Sequence, residues 1–399
     1  MEHGIDHWLT IWGPHAVGAL FAWAMGACIG SFVQVIGERM PEGISIIRPP
    51  SRCVHCGRRL AWHENLPVFG WIICRGRCGS CGGRIPIRYP IIEFAVGILF
   101  AVVYLQLFAA DYGGSWRSVG GAFYQSQGFF GSLPALCAVC VLLAALIAAT
   151  LTDLRSYSIP LAITLVPTVV GLVAWPLQAA VASPIAPSKW PLQLPSGPAT
   201  AAALVGGMGL LTSLALTAGG LWRRSFSDYG TFVRQGEVFA NYPHARREMW
   251  VELRFLLPVA CGLVGGWLLG RWLEWTPTLE VQATAASLLG YFVGAGLVWV
   301  VRIAGTLWRG QEAMGLGDVH LMGAVGAVMG WVDPVTAFVV APFPALAWVG
   351  ISRLFRGGGA HRMREIPYGP WLALAQVLLM VARPFFVQVG RALFPAFFV

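Results

Sequence analysis

Long apolar runs recur along the whole chain, and they restrict its fold more than any other feature. A helix needs about 20 apolar residues to cross about 30 Å of hydrocarbon. The candidate spans are residues 15–36, 91–108, 134–151, 161–180, 199–221, 255–273, 285–301, 319–332, 335–351 and 371–389. Hydrophobic residues make up 57% of the 399 residues and charged residues only 11%, which is too apolar for one soluble core. The sequence therefore predicts an all-α polytopic membrane protein, a bundle of about eight to ten transmembrane helices.

The arginine-rich loops predict the orientation of the chain. Nine arginines lie in residues 37–90, and short cytoplasmic loops carry the excess of Lys and Arg. This loop is therefore expected in the cytoplasm and the N-terminus outside. With ten helices, the basic segments 223–254 and 353–364 also fall on the cytoplasmic side. Arginines held against anionic lipid head groups account for the net charge of +9, so we expect the lipid bilayer as a partner and no nucleic acid.

The first cytoplasmic loop contains two CxxC pairs, each followed by a glycine. The pairs Cys53-Val-His-Cys56 and Cys78-Gly-Ser-Cys81 are separated by 21 residues. Four thiolates at this spacing complete a closed tetrahedral Zn²⁺ site, as in zinc ribbons. The alternative is a pair of disulfides, which rarely persist in the reducing cytoplasm. His55 and Cys74 lack the paired spacing and are expected not to bind the metal. We therefore predict a structural zinc ion that folds the module, with the ligands Cys53, Cys56, Cys78 and Cys81.

Two aspartates border apolar runs, where a carboxylate is expensive and is therefore a functional candidate. Asp153 ends one run, and Asp318 opens another as the last residue of Gly315-Leu316-Gly317-Asp318. The glycines Gly315 and Gly317 let another backbone approach the carboxylate closely. In the predicted topology both aspartates lie at the cytoplasmic ends of their helices. We therefore predict that Asp153 and Asp318 form a catalytic dyad, supported by Gly315 and Gly317.

A dyad of this kind is the active centre of an aspartic protease. Two carboxylates a few ångströms apart do not ionise together easily, so one keeps a proton while the other serves as general base for water. The protonated partner hydrogen-bonds the scissile carbonyl. Each aspartate also has a simpler interpretation. Asp153 is then an interfacial charge paired with Arg155, and Asp318 is an ordinary helix N-cap.

In chain order, these motifs resemble the type IV prepilin peptidases. That family comprises bifunctional leader peptidases and N-methyltransferases of type IV pilus and type II secretion systems, and its peptidase is a GxGD intramembrane aspartic protease. The resemblance covers residues 15–175 and 283–399. The matching segments are Gly30-Ser31-Phe32-Val33-Gln34-Val35, Arg39-Met40-Pro41, the four cysteines with Trp62, Asn65, Pro67 and Trp71 between them, Arg88-Tyr89-Pro90, Glu93, Asp153, Gly315-Leu316-Gly317-Asp318 and Ile366-Pro367-Tyr368-Gly369-Pro370.

The resemblance implies a multi-pass enzyme of the bacterial inner membrane. Its substrates are prepilins or pseudopilins, which are cleaved after a basic leader at the cytoplasmic face, and Asp153 and Asp318 match the family's catalytic positions. The resemblance also implies that S-adenosyl-L-methionine then methylates the new N-terminus, near the cysteine module and residues 30–35. No glycine-rich nucleotide loop is visible after a strand, so the sequence identifies no cofactor-binding residues.

The chain departs from the family pattern in three places. Residues 177–282 add two apparent helices and a basic cytoplasmic loop, of which residues 222–251 offer a surface for an extra partner. Gln34 stands where the family has Asn, and His320 stands where it has Lys. A histidine there either tunes the dyad, because it ionises near neutrality, or is a polar residue of the membrane interface.

The motifs divide the chain into five parts. These are a first transmembrane helix (1–36), a cytoplasmic tetracysteine module (37–90), helices that include the first catalytic aspartate (91–176), the inserted helices with their basic loop (177–282) and helices that include the GxGD motif (283–399). Two other functions stay open. One is a peptidase without methyl transfer, and the other is a non-catalytic assembly or transport component whose aspartates bind a cation or a partner's arginine.

Overall fold

The structure is a computed structural model that describes residues 2–109, 121–228, 232, 242–356 and 367–393. These residues are nearly all helical. The helices are α1 (Glu2–Arg39), α2 (Phe69–Ile73), α3 (Arg88–Phe108), α4 (Gly121–Gly131), α5 (Leu133–Ser156), α6 (Leu161–Val181), α7 (Gly197–Ala218), α8 (Ala245–Trp272), α9 (Leu279–Arg309), α10 (Leu316–Met329), α11 (Val332–Val340), α12 (Pro342–Arg356) and α13 (Gly369–Leu393). A short 3-10 helix covers Pro187–Lys189.

Eight segments of the described residues are long and apolar enough to cross a membrane. They are Trp12–Arg39, Arg88–Phe108, Leu133–Ser156, Leu161–Val181, Gly197–Ala218, Ala245–Trp272, Leu279–Arg309 and Val332–Leu354. Two further apolar helices, Leu316–Met329 and Gly369–Ala382, are shorter. No β-strand occurs in these parts of the chain, which contain two isolated β-bridges. The predicted class, an all-α polytopic membrane protein with eight to ten apolar helices, is confirmed.

The chain divides into two compact units, Met1–Phe129 with Val377–Val399, and Phe130–Gln376. In the first unit, α1 and α3 approach each other at glycines. A Cβ on Gly30 of α1 would lie 2.9 Å from the Cα of Glu93 in α3. The cysteine module lies between these two helices in the chain, because α1 ends at Arg39 and α3 begins at Arg88. This contact therefore fixes both ends of the module.

The second unit is built around α10, which is buried on nearly all sides. A helix that is apolar all round is expected in such a position. Its neighbour α9 comes so close that a Cβ on Gly290 would overlap the carbonyl oxygen of Gly326. The Ser287 hydroxyl donates to the Ala327 carbonyl at 2.6 Å, and the Trp175 indole of α6 donates to the Val328 carbonyl at 3.1 Å. These contacts fix the helix that carries Asp318.

The two helices of the predicted insertion, α7 and α8, pack through small residues. A Cβ on Gly262 or Gly266 of α8 would collide with the α7 backbone at Val205 or Ala201. The Ser213 hydroxyl also donates to the Phe255 carbonyl at 2.7 Å. Of the loop 222–251, residues 229–231 and 233–241 lie outside the described residues, as does 357–366, so the predicted partner surface is only partly described.

Candidate active site and cysteine cluster

Asp153 lies in the last turn of α5, where the helix stops. Tyr157 takes a left-handed backbone conformation with φ 52°, and its amide donates to the Asp153 carbonyl at 2.9 Å. Pro160 follows as the cap residue that precedes α6, since proline has no amide hydrogen to continue the helix of α5. The carboxyl of Asp153 is buried and accepts a hydrogen bond from the backbone amide of Gly369.

Asp318 lies in the first turn of α10. The helix begins at Leu316 with Gly315 as its cap residue, so Asp318 does not occupy the N-cap position that the simpler interpretation gave it. Its buried carboxyl accepts from the Gly315 amide. Of the two flanking glycines, Gly317 is the one in close contact, because a Cβ there would lie 2.9 Å from the Cβ of Ile159.

The fold brings the two carboxyl groups together at Gly369. A Cβ on this glycine would lie 2.7 Å from Oδ2 of Asp153 and 3.2 Å from Oδ1 of Asp318. Because both oxygens lie within 3.2 Å of one point, their separation is at most twice that distance. Sequence reasoning placed Gly369 in a family motif but gave it no contact with either aspartate.

The two aspartates open into one cavity of about 710 Å³. Its wall comes from the end of α5, the segment before α10 and the start of α13, together with Ser225 and Phe226 of the loop after α7. The residues that line it are Asp153, Tyr157, Ser158, Ile159, Ser225, Phe226, Val301, Arg302, Glu312, Ala313, Met314, Gly315, Leu316, Gly317, Asp318, Phe338, Pro367 and Tyr368. A cavity of this size with two carboxyl groups on its wall has room for several residues of a polypeptide.

The remaining motif residues have separate locations. Pro367 and Tyr368 line the cavity, and the Tyr368 hydroxyl donates to the Phe338 carbonyl at 3.4 Å. Ile366 lies outside the described residues. His320 is half-buried on α10 and is not among the cavity residues, so its influence on the dyad stays a prediction.

Sequence reasoning did not single out a buried charge cluster beside this cavity. Arg302 of α9 is 1% exposed, and it pairs with Glu252 of α8 and with Glu312. A charge bordering an apolar run is a functional candidate by default, and Arg302 follows the predicted span 285–301. The position of Arg302 was therefore visible in the sequence, but its partner Glu252 could be identified only from the structure.

The four predicted zinc ligands lie together in the cysteine module. Their sulphur atoms are all within 4.8 Å of one another. In each pair the glycine after the second cysteine has φ 69°, and its amide donates to the carbonyl of the first cysteine at 2.9 Å. Each CxxC pair is also flanked by an isolated β-bridge, between Arg52 and Arg59 for the first pair and between Arg77 and Arg84 for the second.

The geometry of this cluster fits a tetrahedral metal ion. Zinc–sulphur bonds of about 2.3 Å give a tetrahedron whose edges are about 3.8 Å long. The Cys53–Cys81 and Cys56–Cys78 sulphur distances are 3.8 and 4.0 Å. The backbone amides of Cys81 and Ser80 lower the pKa of the Cys78 thiol to about 6, which favours the thiolate form that a metal requires.

The neighbours of the cluster support it without joining it. Cys74 and His55 are not members of the group of four, and the His55 ring lies 3.1 Å from the Arg84 carbonyl. Glu64 accepts from the Ala61 amide and from Arg58, and these two bonds lower the pKa of its carboxyl. Arg58 in turn hydrogen-bonds Cys78 and brings a positive charge to the thiolates.

A second cavity, of about 190 Å³, lies within the first unit between the module and the ends of α1 and α3. Two buried polar side chains line it. The Gln34 amide donates to the Gly30 and Tyr89 carbonyls at 3.2 and 3.3 Å. The Glu93 carboxyl accepts from the Val68 amide at 2.7 Å. Both residues belong to segments that carried the family resemblance.

Comparison with known proteins places these features in context. Residues 24–107 match the family model described as the bacterial peptidase A24 N-terminal domain. The prepilin leader peptidase/N-methyltransferase of Myxococcus xanthus is 48% identical over 82 residues, which are 21% of this chain and 24% of that protein. The Klebsiella pneumoniae protein of the same name is 36% identical over 98 residues, 23% of this chain and 40% of the relative.

A third relative is similar over nearly its whole length. The prepilin leader peptidase/N-methyltransferase of Burkholderia pseudomallei (strain K96243) is 24% identical over 406 aligned positions, which cover 94% of this chain and 90% of that protein. In contrast, this chain matches less than half of the length of the Myxococcus xanthus and Klebsiella pneumoniae proteins. No solved structure matches the chain.

Proposed function

We propose that this chain, which is similar to prepilin leader peptidases/N-methyltransferases, is an intramembrane aspartic endopeptidase that removes the leader peptide of type IV prepilins or pseudopilins. Its catalytic residues are Asp153 and Asp318, supported by Gly315 and Gly317. One observation carries this proposal. Oxygens of both carboxyl groups lie within 3.2 Å of one point, on the wall of a cavity large enough for a peptide segment.

The chemistry follows from the proximity of the two carboxyl groups. The two carboxyl groups do not readily ionise at the same time, so the pair shares one proton. The ionised carboxylate accepts a proton from water, and the water oxygen attacks the scissile carbonyl carbon. The protonated carboxyl donates to the carbonyl oxygen and stabilises the developing negative charge. Transfer of a proton to the leaving nitrogen then breaks the C–N bond, which yields a leader carboxylate and a new amino terminus.

The proposed substrate suits a membrane enzyme. A prepilin, by the family resemblance, has a short basic leader that ends in glycine and is followed by an apolar helix. Such a helix stands in the bilayer, which places the leader junction at the membrane face. The residues at the junction must be extended during cleavage, because a helical peptide bond is shielded by its own hydrogen bonds. The cavity of about 710 Å³ provides room for this extended segment.

The second proposed activity is methyl transfer from S-adenosyl-L-methionine to the new amino terminus. The cavity of the first unit fits such a donor in charge, because the buried Glu93 carboxyl lies on its wall and attracts a cationic sulphonium. The donor supplies the methyl group. Gln34, Glu93 and the surrounding backbone would hold it.

The cysteine cluster is proposed to hold one structural zinc ion through Cys53, Cys56, Cys78 and Cys81. The sulphur distances fit a closed tetrahedron, and a closed site leaves no position for a substrate. Zinc would therefore stabilise the module that forms one wall of the smaller cavity and take no part in peptide hydrolysis.

The protein is proposed to reside in the bacterial inner membrane with its N-terminus outside. This orientation puts the arginine-rich module and the loop 222–251 in the cytoplasm, where that loop is available to an additional partner. Reporter fusions test the orientation. Fusion of a fluorescent protein that folds only in the cytoplasm is expected to give signal after Arg84 and none at the N-terminus.

A cleavage assay tests the central proposal. Purified protein in lipid vesicles is incubated with a prepilin, and leader release is followed by gel shift and mass spectrometry. The wild-type chain is expected to cleave, and Asp153→Asn and Asp318→Asn are expected not to. Unchanged cleavage by both variants would favour the non-catalytic assembly or transport component, in which the aspartates only bind a cation or a partner's arginine.

The same material distinguishes a peptidase without methyl transfer. Pilin that has already been cleaved is incubated with the protein and S-adenosyl-L-methionine carrying a labelled methyl group. Label on the pilin N-terminus supports the bifunctional enzyme. If no label appears on the pilin although the same preparation cleaves normally, the protein is a peptidase without methyl transfer.

A further inference from the structure

Arg302 forms a buried junction between the predicted insertion and the segment that leads into Asp318. Its guanidinium donates through Nε and Nη2 to the Glu252 carboxylate at 3.1–3.2 Å. Through Nη1 it donates to Glu312 at 2.5 Å and to the carbonyl of Met314. Arg302 and Glu252 are 1% and 2% exposed. A planar guanidinium with several donors suits this arrangement, because it satisfies partners in different directions at once.

The bond to Met314 links this junction to the second aspartate. Met314 directly precedes Gly315, whose amide donates to the Asp318 carboxyl. The same segment is held from α9 a second time, since the Ala313 amide donates to the Thr306 hydroxyl at 3.1 Å. Arg302, Glu312 and Met314 also line the cavity that contains both aspartates. The orientation of the guanidinium therefore decides where the backbone before Asp318 runs.

Glu252 fixes that orientation from the inserted helix α8. Its Oε2 also accepts from the Trp299 indole at 2.7 Å, so the carboxylate is held on two sides. The Phe226 ring covers the guanidinium, with its centroid 5.2 Å from Cζ. The residues around Arg302 come from different parts of the second unit: Glu252 from α8, Glu312 from the segment before α10, and Phe226 from the loop after α7. A buried ion pair by itself is weak evidence for stability, which leaves its position beside the active loop to be explained.

We propose that Glu252 and Arg302 are positioning residues for the aspartic dyad, by which the inserted helix α8 sets the backbone that presents Asp318. This inference rests on the proposed peptidase function. The pair holds the loop through the Met314 carbonyl and does not contact the scissile bond. Its loss is therefore expected to lower the rate of the chemical step and to leave substrate binding unchanged.

The test is a comparison of kcat and KM for prepilin cleavage in vesicles. The double variant Glu252→Met/Arg302→Met removes both charges of the pair, a change that buried pairs often tolerate, and it also takes away the partners of the Trp299 indole, the Glu312 carboxylate and the Met314 carbonyl. We expect kcat to fall on the order of 100-fold, since a displacement of about 1 Å at a reacting group has such an effect, while KM stays constant. Glu252→Gln is the milder variant, expected to fold and to lower kcat less.

Arg302→Lys separates charge from geometry. Lysine keeps the positive charge but lacks the planar fork, so this variant is expected to restore only part of the kcat lost in the double variant. Arg254→Gln is the matched control, because Arg254 lies on α8 near Glu252, is exposed and stacks on Trp222 at 4.9 Å. Its kcat and KM are expected to equal those of the wild type.

The outcomes separate the two proposals. Wild-type kcat in the double variant, or in Glu252→Gln if the double variant does not fold, would overturn the positioning role. An increase in KM at constant kcat would also overturn it, because the pair would then belong to substrate binding. If the wild-type chain itself cleaves no prepilin, the peptidase function fails instead.

Discussion

Oδ2 of Asp153 and Oδ1 of Asp318 lie 2.7 and 3.2 Å from one point, the position that a Cβ would take on residue 369. The point is open because residue 369 is glycine. The first residue of α13 thus lies against both carboxyl groups, and its amide hydrogen-bonds Asp153. The space between Asp153 of α5 and Asp318 of α10 is therefore bounded by the first residue of α13.

Replacement of either aspartate by asparagine is expected to lower prepilin cleavage by about 10²–10⁴-fold, the usual contribution of a general acid or base. Asparagine keeps the shape of the side chain but cannot exchange the proton. Asp333→Asn is the matched control. Asp333 is also buried in the second unit, where it accepts from Gln376 at 3.2 Å, but it does not line the cavity. Equal losses in all three variants would contradict a specific role for the pair.

Gly369→Ala is expected to lower kcat on the order of 100-fold, because the new methyl group occupies the space between the two carboxyl oxygens and pushes them apart. Leader release in vesicles measures the effect. Gly350→Ala is the control, since its Cβ would have nothing within 4 Å. Wild-type activity in Gly369→Ala would mean that the two carboxyl groups are not held as closely as their contacts with this glycine require.

The cysteine cluster is expected to bind one zinc ion per chain, as measured by elemental analysis of purified protein. Cys53→Ser or Cys78→Ser removes one of four thiolates, so zinc is expected to be lost and the module to become sensitive to protease. Cys74→Ser provides the control, because Cys74 belongs to the same module but not to the cluster. Retention of zinc by the first two variants would count against the tetracysteine site.

The contact between α9 and α10 is expected to tolerate no side chain at Gly290. An alanine there would overlap the Gly326 carbonyl oxygen and lie 2.7 Å from its carbonyl carbon. Such overpacking is expected to destabilise the protein by about 1–3 kcal/mol, seen as a lower unfolding temperature in detergent. Gly296→Ala on the same helix has nothing within 4 Å of its Cβ. An equal response of the two variants would show that helix propensity, rather than this contact, decides.

Glu93→Gln is expected to lower methyl transfer to cleaved pilin by about 10–100-fold, the equivalent of a lost charged hydrogen bond. Cleavage is expected to continue, because Glu93 lies in the other unit from the aspartates. Labelled methyl donor measures the first activity and gel shift the second. Glu42→Gln is the control, since Glu42 is exposed and does not line the smaller cavity. Normal methyl transfer by Glu93→Gln would exclude this carboxyl from the donor site.

The cysteine cluster and the aspartates differ in how far the sequence predicts them. A CxxC pair brings two thiolates together through local turns, so its geometry follows from a few neighbouring residues, including the left-handed glycines Gly57 and Gly82. The aspartates come from distant helices, and their meeting depends on every contact that orients α5, α10 and α13. Family resemblance paired them in the sequence, but their distance is a property of packing.

The sequence by itself determined the helical membrane class, the positions of the apolar helices and the four cysteines that converge. Apolar length and short-range spacing decide these features, and both can be counted along the chain. Only the tertiary structure decided that Gly369 lies against both carboxyl groups and that Glu252 meets Arg302. Those relationships require side chains far apart in sequence to satisfy buried charges and fill space together, and no local pattern records which partner each one finds.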